Sequence, residues 1–489
     1  MIQKFISKYG LATHLALLAA VPLAFAPFLS AAALGSVILW LTAFAAVWLF
    51  TEPSLRRGEH ISTSRRRLYR EMIADPFFWF ALMGVIYAMV RWLNSGMSIA
   101  YNAEEAEWAV SPPSVEGLPA SAGASGFLFF AVTLAVVVVA LGLRNGVGRA
   151  ARIEFGLAGF MVAGMGGLAA AICACAGVKQ FVSASIAGFA DEPFWASSFG
   201  VWLVVGVASA AAGEVERWVH ARIPYLIGVV GNVAGLYFFA PSMVAAAWGA
   251  FALVVFLIGI LFVKRNSTSG AMARYAIVVV AGAVVPIFMV MSFMDASFSE
   301  TKYASLVNLP IALPESYHGM SDALSRISKE MWTSHPWFGV GLGAFPLHVP
   351  FIADKAEWAL LPVRPEFAPN GYWTILAERG LAGCTVLAVG VGILVVSYVL
   401  RFIGGYRCFK NEDEVGAFVF YVPPVAWIAP VALILFAVEA FLSPIFGASP
   451  FLFALTMPLA LAASSFPKMR ARRSSETDGQ HNDTASSEK

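Results

Sequence analysis

The chain has few charged residues. Only 13% of its 489 residues are Asp, Glu, Lys or Arg, whereas 59% are hydrophobic. An average soluble domain is roughly one quarter charged and needs polar residues to cover its exterior. The composition therefore excludes a soluble globular protein, and its high apolar content excludes a disordered chain. It predicts an integral membrane protein.

Cysteine pairs and alternating strands are also lacking. The four cysteines are Cys173, Cys175, Cys384 and Cys408. They are too few for a disulfide scaffold, and Cys173 and Cys175 have no neighbouring ligand that would complete a metal site. The apolar runs are continuous over about 20 residues, whereas the strands of a transmembrane barrel alternate apolar and polar residues. We therefore expect an all-α, polytopic membrane protein.

The apolar runs predict about twelve transmembrane helices. These runs begin near Leu11, Ala31, Phe77, Phe127, Phe155, Phe199, Tyr225, Val244, Tyr275, Leu381, Ala417 and Pro450. Loops rich in Lys and Arg alternate with loops that are poor in them. Because positive loops stay in the cytoplasm, this pattern places both termini on the cytoplasmic side of the inner membrane.

One loop is much longer than the others. It separates the ninth and tenth predicted spans and lies on the outer, periplasmic face. The predicted organisation is nine spans, this loop, three further spans and a disordered cytoplasmic tail, at residues 1–295, 296–380, 381–466 and 467–489. Within the loop, Leu324, Ile327 and Met331 follow Met320 at helical spacing, which predicts a helix that Pro336 ends.

Small and polar residues indicate how the spans pack. Gly156, Gly159, Ala163 and Gly167 lie at the spacing of one helix face and predict a close approach to a neighbouring helix. Asn232 lies within a predicted span, where an interhelical hydrogen bond is the expected role.

Charged residues in the spans and in the loop are candidates for function. Arg91 and Glu439 lie toward the outer ends of their spans, where a snorkelling arginine and an interfacial carboxylate are the alternative interpretations. In the loop, Arg326 lies four residues from both Asp322 and Glu330, so ordinary helix-surface ion pairs are the alternative to anion binding.

Two segments near the end of the loop carry the clearest pattern. The first covers residues 331–345 and contains a proline followed by three alternate glycines, namely Pro336, Gly339, Gly341 and Gly343. The second covers residues 368–383 and contains Asn370, Gly380 and Gly383. Glycines at such positions permit positive φ and close approach of another backbone.

Together these segments resemble the O-antigen ligase / O-antigen polymerase superfamily of bacterial membrane glycosyltransferases. That family shows His-Pro, two hydrophobic residues and Gly-x-Gly-x-Gly-x-Phe, which matches His335 to Phe345. It continues with His-[Asn/Ser/Gln]-x9-Gly-x-x-Gly, and Asn370, Gly380 and Gly383 keep that spacing. Twelve spans and a large loop between spans nine and ten resemble the ligase branch.

The resemblance implies transfer of a glycan from undecaprenyl diphosphate to a hydroxyl at the outer face, without a metal or another cofactor. The implied partners are the lipid-linked glycan donor, a lipid or glycan acceptor and membrane lipids, with no nucleic acid. The implied catalytic residues are Arg326, Glu366 and Asn370. The implied substrate-binding residues are Arg91, Arg364, Lys179, His348 and Glu439.

The chain departs from the family at the motif histidine, which is replaced by Pro369. Proline cannot exchange a proton, so Glu366, Asp354 or His348 would have to serve as the base. Three alternatives remain open at this point. The chain could act in the polymerase or protein-glycosylating branch, it could bind lipid-linked glycan without catalysis, or it could be an unrelated lipid-linked or small-molecule transporter.

Overall fold

The structure is a computed structural model. It describes residues 2–25, 29–51, 61–102, 107–146, 149–175, 193–212, 222–239, 248–249, 251–252, 315–359, 361, 368–410, 428, 432–437, 440, 457–458 and 460–461. Lys179, Arg364, Glu366 and Glu439 lie outside these residues, as do the predicted tail, all of the predicted span that begins near Tyr275 and most of those that begin near Val244, Ala417 and Pro450.

Most of the described residues are helical, as the composition predicts. The helices are α1 (Ile2–Phe25), α2 (Ala31–Thr51), α3 (Ile61–Ile73), α4 (Pro76–Leu93), α5 (Ser125–Leu141), α6 (Arg149–Cys175), α7 (Pro193–Ala212), α8 (Arg222–Phe239), α9 (Glu315–Ser334), α10 (Phe345–Ile352), α11 (Lys355–Trp358) and α12 (Gly371–Lys410). A π-helical turn, Gly142–Gly146, continues α5.

Five described helical segments are long and apolar enough to cross a membrane. They are Ala31–Thr51, Pro76–Leu93, Ser125–Gly146, Arg152–Cys173 and Gly371–Ile403. Shorter apolar segments occur within α1, α7 and α8. These helices support the prediction of a membrane protein, while the count of twelve spans and the side of each loop stay predictions.

Helix α6 packs against α1, α7 and α8. Its glycines permit this packing, because a Cβ at Gly159 or Gly167 would collide with Trp202 of α7 or with the backbone of Gly231 in α8. The predicted close-approach face is thus confirmed. Asn232 of α8 donates to the carbonyl oxygen of Phe160 in α6 at 2.9 Å, which confirms the expected interhelical hydrogen bond.

A β-hairpin between α4 and α5 departs from the all-α prediction. Strand β1 (Ile99–Asn102) pairs antiparallel with β2 (Glu107–Val110). Tyr101 lies opposite Trp108, and their rings make an edge contact with 5.5 Å between centroids. Apolar residues at every second position, as in Ile99 and Tyr101, are the strand signal that the sequence does contain.

The spans have two distinct ends. At one end, called the basic end, arginine-rich α3 and the turn after α5 that contains Arg144 come together. There Arg144 binds both carboxylate oxygens of Asp75 at 2.8 Å, and both side chains are buried. At the other end, called the motif end, α4 finishes, α5 begins and the two motif segments lie.

Candidate functional site

The first motif segment follows the predicted helix. Helix α9 ends at Ser334, two residues before Pro336, and Leu324, Ile327 and Met331 are buried on one of its faces. The predicted helix, its apolar face over these three residues and its end are therefore confirmed. The apolar face packs in a hydrophobic core at the motif end, which also includes Phe345 of α10 and Ala377 of α12.

The two motif segments bind each other directly through their backbones. Val340 and Gly341 donate to the carbonyl oxygens of Ala377 and Glu378 at 2.8 and 3.2 Å. In return, the amides of residues 381 and 382 donate to the carbonyl oxygens of residues 336 and 337, both at 2.9 Å. Residues 336–345 and 377–382 thus form one structure, which we call the motif unit.

Glycine is required where the segments cross. Gly339 and Gly380 adopt φ of 66° and 62°, a region that other residues rarely occupy. A Cβ at Gly339 would lie 2.5 Å from the carbonyl oxygen of Ala377, and a Cβ at Gly380 would lie 2.5 Å from that of Trp337. The predicted use of the first segment's glycines for positive φ and close approach is confirmed at Gly339, and Gly380 of the second segment behaves in the same way.

A third segment, between the hairpin and α5, joins the motif unit. Leu342 donates to the carbonyl oxygen of Ala120 at 3.0 Å, and Ala122 donates to that of Leu342 at 2.9 Å. The hydroxyl of Ser121 donates to the carbonyl oxygen of Arg91 at 2.8 Å. Gly341 and Gly343 also have positive φ, and they pack against Met97 and Ser125.

Arg91 lies at the centre of these segments and is completely buried. Its Nη1 donates to the carbonyl oxygens of Ala120 at 2.9 Å and Glu378 at 3.3 Å. Its Nη2 donates to those of Phe338 at 2.9 Å and Arg379 at 3.5 Å. The structure therefore gives Arg91 a role that the sequence did not predict: it binds protein carbonyls in three segments, and its complete burial contradicts a snorkelling side chain.

Two more charged side chains are buried beside Arg91, and sequence reasoning assigned them no role. The carboxylate of Glu378 accepts a hydrogen bond from the amide of Gly343 at 3.1 Å, next to the first turn of α10. The guanidinium of Arg379 lies over the ring of Phe129, 5.0 Å from its centroid. Their position at the start of an apolar span was the signal that could have identified them. Two arginines and one glutamate leave the cluster with a net positive charge.

Asn370 caps α12. Its side-chain oxygen accepts a hydrogen bond from the amide of Trp373 at 2.9 Å, as an N-cap residue does. This contact gives a structural role to the residue that the sequence proposed as catalytic. Pro369, at the motif histidine position, precedes the cap and is half-buried.

Arg326 is tied to carboxylates on the surface of the motif end. It donates to Glu330 at 2.9 Å, binds both oxygens of Glu357, and donates to the carbonyl oxygen of Ile352 at 3.1 Å. The helix-surface pair with Glu330 is therefore present. The hydrogen bond to Glu357 raises the pKa of Arg326, and the same bond lowers the pKa of Glu357. Any diphosphate at Arg326 would have to compete with these carboxylates.

His348 has the geometry of a neutral base. Its Nδ1 lies 3.0 Å from the carbonyl oxygen of Ala344. A carbonyl can only accept, so Nδ1 carries the proton and Nε2 keeps a lone pair. Burial lowers the pKa of His348, and the nearby His335 lowers it further, although the bond to Ala344 opposes both. The histidine is therefore uncharged at neutral pH.

The other candidates are not brought to the motif unit by the described residues. Asp354 caps α11 in a reciprocal arrangement with Glu357 and lies 3.8 Å from Arg326. Lys179, Arg364, Glu366 and Glu439 lie outside the described residues, and their roles stay predictions. No protein-family model matches the chain, and no curated protein matches it at a significant level.

Proposed function

We propose that the chain transfers a glycan from a polyprenyl diphosphate carrier to an acceptor hydroxyl at its motif end. The observation that carries the proposal is the motif unit itself. The two segments that resemble the O-antigen ligase superfamily are 23 residues apart, from Phe345 to Ala368, yet they bind each other at the glycines that define the resemblance. This crossing accounts for the glycine spacing in physical terms.

The charges at the motif end suit a donor with a diphosphate. Buried Arg91 and Arg379 outnumber Glu378, so this buried cluster carries a net positive charge, which favours an anion bound nearby. Direct contacts to the diphosphate are assigned to Arg364, five residues before Pro369, because Arg326 and Arg91 already bind protein oxygens. These contacts would stabilise the charge that develops on the leaving group.

His348 is the base in this proposal. The oxygen of the acceptor hydroxyl attacks the anomeric carbon of the donor sugar and forms the new glycosidic bond. The bond from that carbon to the carrier oxygen breaks, and polyprenyl diphosphate leaves with the electron pair. The hydroxyl proton goes to Nε2 of His348. A neutral histidine with a fixed tautomer is suited to this step, and Pro369 is not.

The direct test is transfer by the purified full-length protein in nanodiscs. The donor is an undecaprenyl diphosphate glycan, and the acceptor is a crude envelope extract. We expect His348→Gln to lower the rate by about 100-fold or more, the usual contribution of a general base. His14→Gln is the matched control, because Nδ1 of His14 also donates to a carbonyl oxygen four residues earlier, that of Gly10 at 2.7 Å, but in α1 and outside the motif unit. Equal rates in the wild type and His348→Gln would move the base elsewhere, with Glu366→Gln as the next variant.

Two observations favour a second function. Pro369 has no proton to exchange, and the side-chain oxygen of Asn370 serves as a helix cap. A chain with these features could bind a lipid-linked glycan without transferring it. Saturable binding of the donor with no transfer to any envelope acceptor would support this binding function and contradict the enzyme.

A further inference from the structure

Helix α3 lies where two membrane-capable helices end. Helix α2 ends at Thr51, and α4 begins at Pro76, three residues after α3. Arg65 of α3 donates from Nε and Nη2 to the carbonyl oxygen of Thr51 at 3.3 and 2.7 Å. Since both neighbours are long enough to cross the hydrocarbon core, α3 lies at the depth of the lipid headgroups.

Aromatic contacts agree with that depth. The ring of Tyr69 stacks on Phe50 of α2 with 5.6 Å between centroids. The indole N–H of Trp79 in α4 donates to the carbonyl oxygen of Ile73 at 2.9 Å. Tyr69 and Trp79 are 48% and 55% exposed. Tyrosine and tryptophan in such positions are typical of the membrane–water interface.

The outward face of α3 combines cations with apolar groups. Leu68 and Met72 are buried against the protein. Arg66, Arg70 and Ile73 are exposed and lie at i, i+4 and i+7, so they form one stripe on the opposite side. Such a stripe is suited to the boundary between phosphate and acyl chain.

The charge of α3 is strongly positive. Its described side chains carry four positive charges, at residues 65, 66, 67 and 70, against one negative charge at Glu71. Arg65 is held by Thr51, whereas the guanidinium groups of Arg66 and Arg70 have no hydrogen bond or ion pair to any described residue. Two exposed cations four residues apart, at headgroup depth, are complementary to a phosphate group.

We propose that α3 binds an anionic phospholipid, with the phosphate of its headgroup between Arg66 and Arg70. Tyr69, Ile73 and Trp79 contact the glycerol and upper acyl region of the same lipid. A zwitterionic phospholipid carries a compensating positive group, so α3 discriminates against it. This surface is on the basic end and is independent of the glycan chemistry proposed for the motif end.

The test is lipid binding by the purified full-length protein in detergent, measured by native mass spectrometry. Phosphatidylglycerol and phosphatidylcholine are titrated separately. We expect preferential binding of phosphatidylglycerol, and a loss of affinity of about fivefold for each arginine removed in Arg66→Gln/Arg70→Gln, as for about 1 kcal/mol per basic residue. Arg66→Lys/Arg70→Lys should keep most of the affinity, which separates a lost charge from a lost fold.

The control with the same charge change is Lys329→Gln/Lys355→Gln, which removes two exposed cations at the motif end. It should bind phosphatidylglycerol as the wild type does. Equal losses in both double variants would overturn the proposal in favour of a general charge effect. Unchanged binding in the arginine variant would also overturn it, and so would full competition by millimolar inorganic phosphate, which would indicate a site for free anions.

Discussion

At the residue scale, the motif unit depends on two glycines. Replacing Gly380 by alanine should lower the free energy of unfolding by at least about 1–2 kcal/mol, because the new residue is forced into positive φ and its Cβ meets the backbone of Trp337. Thermal unfolding in detergent measures the change. Gly392→Ala is the matched control in the same helix, since a Cβ there meets nothing within 4 Å. Equal stability of the two variants would contradict the crossing.

His348 should make stability depend on pH. Burial lowers its pKa in the folded protein, so below about pH 6.5 the unfolded chain binds more protons than the folded one. The free energy of unfolding should therefore decrease as the pH falls from about 7.5 toward the lowered pKa. Denaturant titrations at several pH values should show a smaller decrease in His348→Gln. If the free energy of unfolding changed equally with pH in both proteins, groups other than His348 would determine the pH dependence.

The sequence predicted the positions of the special residues better than their contacts. Pro336 and the alternating glycines were identified from spacing, because backbone constraints are local. The role of Arg91 was missed, because its acceptors at Ala120, Phe338 and Glu378 are carbonyls, which every residue carries and which leave no pattern in a sequence. The cap role of Asn370 could have been predicted, since asparagine is a common residue at the N-cap of a helix.

At the element scale, the pair Asp75–Arg144 connects the start of α4 to the turn after α5. Arg144 also lies 3.5 Å from the hydroxyl of Ser397 in α12. Asp75→Asn should lower the free energy of unfolding by about 3–5 kcal/mol, because it leaves a buried arginine without its counter-charge. Asp75→Leu/Arg144→Met should recover most of this loss. Unfolding in a denaturing detergent measures both variants.

The pH dependence of this pair follows from its pKa. Burial alone would raise the pKa of Asp75, but the hydrogen bonds and charge of Arg144 hold it below the ordinary value. The pair's contribution to the free energy of unfolding is therefore complete above about pH 4. It is lost only as the pH falls through the lowered pKa of Asp75. A loss of this contribution between pH 8 and pH 6 would contradict the assignment.

Helices were predicted more reliably than the short hairpin. The apolar spacing of α9 identified both its buried face and its end at Pro336. The predicted start near Leu381 coincides with a break at Gly380, where ψ is −165°, and the helical stretch from Gly371 to this break was not predicted. The polar and charged residues between 371 and 380 are typical of a loop, so this stretch was not predicted to be helical. Its burial depends on α9 and α10, which are remote in sequence.

At the scale of the whole molecule, the motif end and the basic end should lie on opposite sides of the membrane. Lys329→Cys and Arg66→Cys, each in a chain whose four native cysteines are replaced by serine, test this arrangement. In sealed vesicles with the outer face exposed, a membrane-impermeant maleimide should label position 329. Position 66 should react only after permeabilisation. Labelling of both in sealed vesicles would contradict the assignment of sides.

Composition alone was enough to recognise a membrane protein, because a surface without charge cannot face water. The positions of the spans were also readable where the apolar runs are long, as in α2 and α5. The assembly of the motif end was not readable, since it joins segments near residues 91, 120, 340 and 380. Such contacts depend on the folded arrangement of helices that share no local pattern.

The burial of Arg91 affects the synthesis and membrane insertion of the protein. Two of its acceptors, the carbonyls of Phe338 and Glu378, are made 247 and 287 residues later in the chain. At a synthesis rate of about 5–20 residues per second, the ribosome reaches Glu378 about 15–60 s after Arg91. During this interval the guanidinium must stay in water or beside a protein that assists insertion, because exposure to hydrocarbon is expensive. Packing of α12 against Arg91 therefore ends the stage at which the guanidinium lacks its carbonyl partners. Chains truncated before residue 336 should be substrates for membrane quality control.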